Sequence, residues 1–243
     1  MIKAILFDLD DTLLGNEVDP FMSGYFGLLS KYAQPLMDPD RFLKKVNSAT
    51  QSAIQNTNPA QTNADVFWSY FLEGTDWERE PLEQFFVEFY EEEFPQLRSV
   101  TSVIPSAAKL VQLSLDLGLQ VVVATNPLFP MMAVEQRLEW ADVPVADYRY
   151  ALITAYENMH ATKPHPAYYQ EILDDIGTKP EEALMVGDDW KNDIVPAGSL
   201  GVYTYWVTDP NEPLPDDSPL SGRGSMADLY QLISDGWLQQ LGA

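Results

Sequence analysis

The amino-terminal segment, residues 2–14, reads Ile-Lys-Ala-Ile-Leu-Phe-Asp-Leu-Asp-Asp-Thr-Leu-Leu. Its first part, Ile2–Phe7, is short and apolar apart from one lysine, which predicts a strand buried on both faces. Polar side chains follow at once, three carboxylates and one hydroxyl, at Asp8, Asp10, Asp11 and Thr12. A buried strand that ends in so many acidic groups indicates that function is concentrated at its carboxyl end.

The spacing of these acidic residues points to particular kinds of chemistry. Asp8 and Asp10 are two residues apart, so their side chains point the same way on an extended backbone. Negative charge at the end of a buried strand is costly unless a cation lies there. The two carboxylates therefore indicate a hard divalent cation, general acid–base chemistry, or both. Judged on these residues alone, a strand followed by an acidic turn explains the segment equally well.

From residue 98 to the end, apolar segments of strand length alternate with segments of helical periodicity. The alternation predicts an α/β fold in which helices flank a doubly wound parallel sheet. The predicted strands are Leu119–Ala124, Ala151–Thr154, Ala183–Val186 and Val202–Val207, and the predicted helices are Pro105–Leu117, Met131–Trp140, Pro166–Ile176 and Met226–Leu241. Residues 209–224 are rich in Pro, Asp, Ser and Gly and predict a surface loop.

Between the first strand and this alternating region, the pattern is helical throughout. Helices are predicted at Pro20–Tyr32, Pro39–Ile54, Asn63–Leu72 and Pro81–Phe94. Prolines near the starts fit, because the first turn of a helix does not use those N–H groups. We therefore predict two parts, a core of residues 1–15 and 98–243 and an all-helical insert of residues 16–97.

The charge of the chain restricts its partners. Its 243 residues carry a formal net charge of −23, from 37 acidic and 14 basic residues. Such an acidic surface disfavours nucleic acid and anionic membranes as partners. It also repels a phosphorylated substrate at long range, so a local cluster of metal, lysine and backbone amides would have to hold one. The sequence predicts no particular oligomeric state.

The composition also bears on the compartment. Cysteine is absent, which excludes disulfides and thiolate metal sites and fits a reducing environment. No segment approaches the ~20 apolar residues of a membrane span, and the opening segment lacks the features of a secretory signal. We therefore expect a cytoplasmic protein.

Three further polar motifs follow predicted strands or precede a predicted helix. The strand ending at Ala124 leads into Thr125-Asn126-Pro127, and residues 187–193, after another strand, read Gly-Asp-Asp-Trp-Lys-Asn-Asp. Lys163-Pro164 stands just before a helix. Ligands of open α/β sheets bind at the carboxyl ends of strands, so these groups fit a phosphate site. Taken singly, Thr-Asn-Pro is also an ordinary turn, and a lone lysine is usually a surface residue.

In this order, the four motifs resemble those of the haloacid dehalogenase-like (HAD) hydrolases, a family composed mostly of magnesium-dependent phosphatases. The resemblance covers nearly the whole chain except the helical insert. It implies a phosphatase that acts on a small phosphorylated metabolite with Mg²⁺ as cofactor. It also implies that residues 16–97 are a mobile cap domain over the active site. The alternative is a helical layer packed permanently on the sheet.

The resemblance implies a catalytic role for each matching residue. Asp8 is the nucleophile that forms an aspartyl-phosphate. Asp10 protonates the leaving oxygen and then deprotonates the attacking water, which requires surroundings that favour its protonated form. Thr125 and the backbone N–H of Asn126 bind the phosphoryl group, and Lys163 stabilises its charge.

The implied metal site is acidic. It comprises Asp8, Asp10 through its backbone carbonyl, Asp188, and Asp193, the last of which orients metal-bound water or pairs with Lys163. Asp189 is an alternative ligand, although the family pattern favours the aspartate directly after glycine. Thr12 is expected to support the loop through its hydroxyl.

The presence of Asp10 also helps to distinguish which reaction of the family the chain catalyses. The dehalogenases use an aspartate nucleophile on carbon and need neither this second acid nor a metal, and phosphonate-cleaving relatives generally lack the second aspartate. A sugar phosphomutase remains an alternative, because the same residues would then pass the phosphoryl group to a hydroxyl. From a different class, a catalytically idle binding protein on this fold is a further alternative.

The sequence does not identify the substrate. Basic residues of the insert are candidates for binding a second anionic group, although a solvated helix face is the commoner explanation for such residues. The candidates are Lys31, Arg41, Lys44, Lys45 and Arg79.

Overall fold

The computed structural model describes residues 1–215 and 220–241 of the chain. Its strands are, in chain order, β1 Ala4–Phe7, β2 Leu14–Asn16, β3 Thr101–Val103, β4 Gln120–Val123, β5 Leu152–Ile153, β6 Ala183–Gly187, β7 Tyr203–Val207 and β8 Gly222–Gly224. Six of them form one sheet in the order β5-β4-β1-β6-β7-β8, in which every neighbouring pair is parallel. The predicted α/β class with a parallel sheet is therefore confirmed.

The central position of β1 follows from its composition. All four of its residues are buried, and it pairs with β4 on one side and with β6 on the other. A strand that is apolar on both faces is stable only where helices cover the sheet above and below. The most apolar strand of the core thus lies in the middle of the sheet.

Helices cover both faces of the sheet. The described helices are α1 Val18–Tyr32, α2 Pro39–Ile54, α3 Asn63–Leu72, α4 Arg79–Glu92, α5 Ala107–Asp116, α6 Met131–Trp140, α7 Pro166–Ile176, α8 Val195–Ser199 and α9 Met226–Ser234. Ile5 and Phe7 of β1 belong to an apolar cluster with residues of α1–α6 and α9. Ala4 and Leu6 belong to a second cluster with residues of α7 and α8. Because alternate side chains of a strand point to opposite faces, the sheet has two cores, as doubly wound folds do.

Four helices, α1–α4, lie between β2 and β3, where the sequence predicts the insert. α2 begins at Pro39 behind Asp38, whose side chain accepts a hydrogen bond from the Arg41 backbone N–H at 3.1 Å. α3 begins behind Thr62, which forms a reciprocal capping box with Asp65. These caps satisfy N–H groups that lack partners within the helix. None of the helices in the described ranges is long and apolar enough to cross a membrane.

The limits of α4 differ from the prediction of Pro81–Phe94. The helix begins at Arg79, because a proline in the first turn loses no hydrogen bond and does not mark the first residue. Pro95 disfavours helical backbone at the residue before it, so a 3₁₀ helix follows from Phe94 instead. α1 likewise begins before its predicted start at Pro20.

A short antiparallel pair, β2 with β3, brackets the four helices and was not predicted. The helical pattern expected directly after Leu14 is wrong for Gly15 and Asn16, which pair with Ser102 and Thr101. A side chain at Gly15 would overlap Ser102 of the partner strand, so glycine permits the pairing. Strands of three residues are too short for an alternating pattern to reveal them.

The carboxyl-terminal region also departs from the prediction. Residues 222–224 lie within the predicted loop but form β8, the edge strand of the sheet, beside β7. Residues 216–219 of that predicted loop lie outside the described residues. The predicted helix Met226–Leu241 ends at Ser234, because Gly236 adopts a left-handed φ of 84° that breaks the helix, and a short 3₁₀ helix, Trp237–Gln239, follows.

Hydrogen bonds connect the insert to the core loop that precedes α7. The Asn63 backbone N–H donates to the Met159 carbonyl at 2.8 Å, and its side-chain amide donates to the Ala161 carbonyl at 3.1 Å. The Asn56 amide donates to the His160 carbonyl at 3.0 Å. The Thr162 hydroxyl also donates to the Ile54 carbonyl of α2 at 3.2 Å, so α2 and α3 are both joined to the segment that leads to Lys163.

Candidate active site

The predicted site residues follow strands that are neighbours in the sheet. β1 lies between β4 and β6 and is paired in register with both. The carboxyl ends of parallel strands lie at one edge, so the residues that follow them meet there. Asp8 follows β1, Thr125 lies just beyond β4, and Asp188 follows β6.

Lys163 lies at this edge in the loop before α7. Its Nζ lies 2.6 Å from Oδ1 of Asp8 and 2.6 Å from Oδ1 of Asp193, and all three residues are buried. Hydrogen bonds between opposite charges are among the strong ones, and burial strengthens them further. The structure thus brings together three of the predicted residues in one ion-paired group.

The titration of this group follows from burial and charge. Burial raises the pKa of the Asp8 carboxyl well above its ordinary value, although the charge of Lys163 opposes the rise. Burial alone would lower the pKa of Lys163. The negative charges of Asp193 and Asp8 outweigh this effect, so the pKa of Lys163 is raised well above its ordinary value. Lys163 is therefore held as an ammonium ion that faces the predicted nucleophile.

Three carboxylates gather beside this ammonium group. Asp8, Asp188 and Asp193 each offer an oxygen, and these oxygens lie within 4.8 Å of one another. Burial and the charges of Asp193 and Asp11 raise the pKa of Asp188 to about 7. Carboxylate oxygens are the ligands that hard divalent cations prefer, and a single ammonium cannot neutralise three carboxylates. The residues therefore fit such a cation, whose charge would relieve their mutual repulsion.

Gly187 explains how Asp193 comes so close to the end of β6. A Cβ added at Gly187 would overlap the Asp193 carboxylate, so no larger residue fits without displacing it. Asp193 is also fixed by the Asp189 backbone N–H, which donates to its Oδ2 at 3.1 Å. Glycine is needed at position 187 because the Asp193 carboxylate packs against its Cα, and not because of an unusual backbone angle.

Asp189, the alternative ligand, does not join the three-carboxylate cluster. Its Oδ1 accepts hydrogen bonds from the backbone N–H groups of Lys191 at 2.8 Å and Asn192 at 3.0 Å. The Asn192 amide donates to its other oxygen at 2.6 Å. The side chain of Asp189 therefore closes the turn after β6 and is directed at that turn.

The loop after β1 has an unusual backbone that its residues permit. Asp11 has a left-handed φ of 54°, a conformation that Asp tolerates better than most residues, and its Oδ1 accepts from the Asn16 backbone N–H at 2.8 Å. Thr12 is fully buried, and its hydroxyl lies 3.5 Å from Oδ1 of Asp188, at the limit of a hydrogen bond. Thr12 thus lies between the β1 loop and the β6 loop, and its role in supporting the loop stays a prediction.

The loop after β4 presents a hydroxyl and an amide. Thr125 is buried, and its backbone carbonyl accepts hydrogen bonds from the hydroxyls of Thr154 and Tyr168, both at 2.7 Å. Its own hydroxyl has no hydrogen-bond partner among residues 1–215 and 220–241. The side-chain oxygen of Asn126 is buried and likewise unpartnered within those ranges. These groups are available to a ligand.

Arg137 of α6 is a functional candidate that the sequence analysis missed. It is only 1% exposed, and its Nη1 lies 2.8 Å from Oδ2 and 3.1 Å from Oδ1 of Asp10. The Asn16 amide donates to the same carboxylate at 2.8 Å. The detectable signal was a lone arginine on the buried face of a predicted helix, beside Ala133 and Val134.

An ion pair orients the Asp10 side chain. Nη1 of Arg137, a buried guanidinium, lies 2.8 Å from Oδ2 of Asp10. The role of Asp10 as the acid and base of the reaction stays a prediction. The Asp10 side chain is directed toward Arg137 and lies outside the three-carboxylate cluster, so a metal-binding role for Asp10 would rest on its backbone carbonyl, as predicted.

The basic residues of the insert do not form a cluster. Arg79 forms ion pairs with Asp65 at 2.9 Å and with Glu83 at 2.7 Å, and Lys45 donates to the Glu73 carbonyl at 2.8 Å. The others, Lys31, Arg41 and Lys44, lie on exposed helix faces. Each of these five basic side chains is thus either exposed to solvent or bonded to a neighbouring group of the insert.

Known proteins resemble the chain in sequence and in fold. Residues 2–201 match the family model described as haloacid dehalogenase-like hydrolase. The glyceraldehyde 3-phosphate phosphatase of Pyrococcus furiosus is 27% identical over 207 residues, which cover 84% of this chain and 80% of the relative. The phosphoglycolate phosphatase of Rhodospirillum rubrum is 28% identical over 204 residues, covering 83% and 78%.

A solved structure agrees on the fold. The 2-haloacid dehalogenase from Pseudomonas syringae superimposes with a TM-score of 0.64 and 21% sequence identity, over 97% of this chain and 99% of that one. At this identity the likeness concerns the fold alone. The chemistry has to be argued from the residues at the edge of the sheet.

Proposed function

Because the chain belongs to the haloacid dehalogenase-like hydrolases, we propose that it hydrolyses a small phosphate monoester through an aspartyl-phosphate on Asp8. The observation that carries the proposal is the buried group at the end of the central strand, where Lys163 lies 2.6 Å from both Asp8 and Asp193. Relatives named as phosphatases of glyceraldehyde 3-phosphate and phosphoglycolate support this class of substrate.

In the first step, a carboxylate oxygen of Asp8 attacks phosphorus, and the bond from phosphorus to the leaving oxygen breaks. Lys163, the Thr125 hydroxyl and the Asn126 backbone N–H stabilise the charge on the phosphoryl oxygens. Asp10 gives its proton to the leaving oxygen. The products of this step are an alcohol and an acyl phosphate on Asp8.

In the second step, water attacks the phosphorus of the acyl phosphate, and Asp10 accepts the proton of that water. The bond between phosphorus and Asp8 breaks, which releases phosphate and restores the carboxylate. Nη1 of Arg137 lies 2.8 Å from Oδ2 of Asp10 and would fix the direction of this side chain in both steps. Arg137 therefore supports the proposed role of Asp10 by orienting it.

The three-carboxylate cluster would hold Mg²⁺, with Asp8 and Asp188 as side-chain ligands, the Asp10 backbone carbonyl beside them, and Asp193 orienting the bound water. When bound, the ion would shield the Asp8 carboxylate from the negative charge of the phosphate. We further propose that residues 16–97 act as a cap that covers the site.

Halide displacement at carbon is less well supported than phosphoryl transfer, although a dehalogenase shares the fold. Such a reaction needs neither a second acid nor a metal, whereas this chain holds Asp10 on a buried arginine and gathers three carboxylates beside a lysine. Hydrolysis of a phosphate ester uses all of these groups.

The test is hydrolysis of p-nitrophenyl phosphate with and without Mg²⁺, by the wild type and by Asp8→Asn. We expect metal-dependent activity that falls at least about 10³-fold in the variant, since the nucleophile is lost. Asp142→Asn is the control, because it removes an exposed carboxylate outside the cluster at a left-handed φ of 58° that asparagine also tolerates. Activity that is independent of metal, or that survives Asp8→Asn, would contradict the proposal.

A further inference from the structure

An apolar cavity of about 120 Å³ lies between the insert and the core. Side chains of α1–α4 line it on one side, and Leu128, Phe129, Pro130 and Tyr156 of the core line it on the other. No charged side chain is among the lining residues in the described parts of the chain. An apolar cavity of about 150 Å³ in another protein stays dry and binds benzene, so this space suits a single ring or a branched alkyl group.

The tyrosine hydroxyls around the cavity are already engaged. The hydroxyls of Tyr25 and Tyr90 are 2.9 Å apart and bond to each other, and the Trp68 indole N–H donates to the Tyr156 hydroxyl at 3.4 Å. Burial, opposed by the bond to Tyr90, raises the pKa of Tyr25 to about 12, so it is neutral at physiological pH. Apart from these groups, Thr50 is the one other residue of the lining with a polar side chain in the described parts of the chain. A ligand with several polar groups would therefore have to break these bonds or leave some of its own groups unpaired.

The cavity adjoins the predicted catalytic groups. Leu128 and Phe129 come directly after the Thr125-Asn126-Pro127 loop. The Phe129 ring lies 4.8 Å from the Arg137 guanidinium, which in turn lies 2.8 Å from the Asp10 carboxylate. Phe129 thus lines the cavity and also contacts the guanidinium that holds Asp10, which places the cavity beside the group that would protonate the leaving oxygen.

We propose that the substrate carries a compact apolar leaving group, an aryl or branched alkyl group of about benzene's size, and that this cavity receives it. The proposal rests on the proposed phosphatase function and specifies the substrate class. A sugar or carboxylate leaving group would bury hydroxyl or charged groups among aromatic rings. The basic residues of the insert offer such a group no clustered charge, since they are exposed or locally paired.

The test compares benzyl phosphate with 2-hydroxyethyl phosphate, two esters whose leaving alcohols are of similar acidity. We expect kcat/KM to be at least about tenfold higher for benzyl phosphate, because only its ring gains from burial. Benzyl alcohol should inhibit hydrolysis of the second ester competitively. Equal rates, or a preference for 2-hydroxyethyl phosphate, would overturn the inference.

Two variants assign the preference to the cavity. Val46→Phe fills it and should reduce the advantage of benzyl phosphate to less than about threefold, while hydrolysis of 2-hydroxyethyl phosphate continues. Phe26→Leu enlarges the cavity and should raise the relative rate with 1-naphthylmethyl phosphate, which keeps the test valid if the first variant folds poorly. Val18→Phe, on an exposed position of α1, is the matched control and should change neither ratio.

The outcomes separate the two proposals. If the wild type hydrolyses phosphate esters but neither cavity variant changes the ratios, the cavity is a packing void and the inference is wrong. If the wild type hydrolyses no phosphate ester, the proposed function fails and the inference with it.

Discussion

Arg137 lies outside the four sequence motifs, yet its guanidinium forms the ion pair that holds the Asp10 side chain. A guanidinium that is itself buried fixes the direction of the Asp10 carboxylate, and Asn16 holds it from another side. Arg137 reaches no nucleophile or phosphate-binding group in the described residues and acts through Asp10. It is therefore a positioning residue in the proposed reaction.

Replacing Arg137 by Met should lower kcat about 10- to 100-fold and leave KM within about threefold, because a misplaced proton-transfer group slows the chemical steps. Arg137→Lys should recover part of the loss by keeping the charge. Steady-state kinetics on p-nitrophenyl phosphate gives kcat and KM for the two variants. In an Asp10→Asn background the Met substitution should cost little more, and fully additive losses would show that Arg137 does not act through Asp10.

The titration of Asp188 makes the stability of the metal-free protein depend on pH, and the direction of that dependence can be worked out. Its pKa of about 7 in the folded, metal-free chain lies above the value of ~3.9 expected when unfolded, so the folded state binds more protons between these values. The free energy of unfolding of the metal-free protein therefore falls as pH rises from about 4 through 7. Mg²⁺ should reverse part of this loss, because it binds the deprotonated form.

Melting temperatures at pH 5.5 and pH 8, with and without Mg²⁺, test this expectation. The Tm increase caused by Mg²⁺ should be several degrees larger at pH 8. Asp188→Asn should abolish that difference, whereas Asp142→Asn removes the same charge at an exposed position outside the cluster and should preserve it. A wild-type response to Mg²⁺ that is equal at both pH values would contradict the assignment.

The turn behind β6 is the element that delivers two of the three clustered carboxylates, those of Asp188 and Asp193. Asp189 closes the turn by accepting backbone hydrogen bonds, and the Trp206 indole N–H of β7 donates to the Asp188 carbonyl at 2.8 Å. Gly187 leaves the space into which Asp193 folds back. Gly187 and Asp189 thus each have a physical reason for their identity.

Gly187→Ala should destabilise the protein by about 1–3 kcal/mol, because the added methyl overlaps the Asp193 carboxylate in a close-packed site. It should also lower kcat/KM at least about tenfold by displacing Asp193 from Lys163. Urea unfolding and the phosphatase assay measure the two effects. Gly27→Ala is the control, since a Cβ there meets no atom within 4 Å, and it should be neutral or stabilising by up to about 1 kcal/mol.

The sequence was sufficient for the elements with strong periodicity and for the order of the motifs. Parallel strands share one edge, so polar residues after β1, β4 and β6 had to meet. Strands β2, β3 and β8 escaped prediction because three residues show no period, and their pairing depends on distant partners. Arg137 escaped because its position on the apolar face of α6 indicates burial but not its partner, and Asp10 becomes that partner only when α6 packs against the β1 loop.

Over the whole molecule, the insert and one face of the sheet share an apolar cluster, and α2 and α3 are joined by hydrogen bonds to the loop before α7. Asn63 contributes most to that connection, because both its backbone and its side chain donate to core carbonyls and it is fully buried. Any movement of the insert as a cap would have to break these bonds or pivot about them.

Asn63→Ala should lower the free energy of unfolding by about 1–3 kcal/mol, since a buried carbonyl at Ala161 then loses its donor. Asn58→Ala, in the exposed turn nearby, should cost less than about 1 kcal/mol. Urea denaturation of both variants gives the comparison. Equal losses at the two positions would mean that the bonds to the core add nothing to stability.

The hydrogen bonds between α2–α3 and the loop of residues 156–162 also govern how this enzyme can be re-engineered. Consider a chimera in which only residues 16–97 are exchanged for those of another family member. The carbonyls of Met159, His160 and Ala161, just before Lys163, would then lose their hydrogen-bond donors. A transplant that carries the loop along with the helices keeps donors and acceptors matched. The smallest segment that can be transplanted to change substrate specificity therefore includes the insert and also the loop of residues 156–162 in the core.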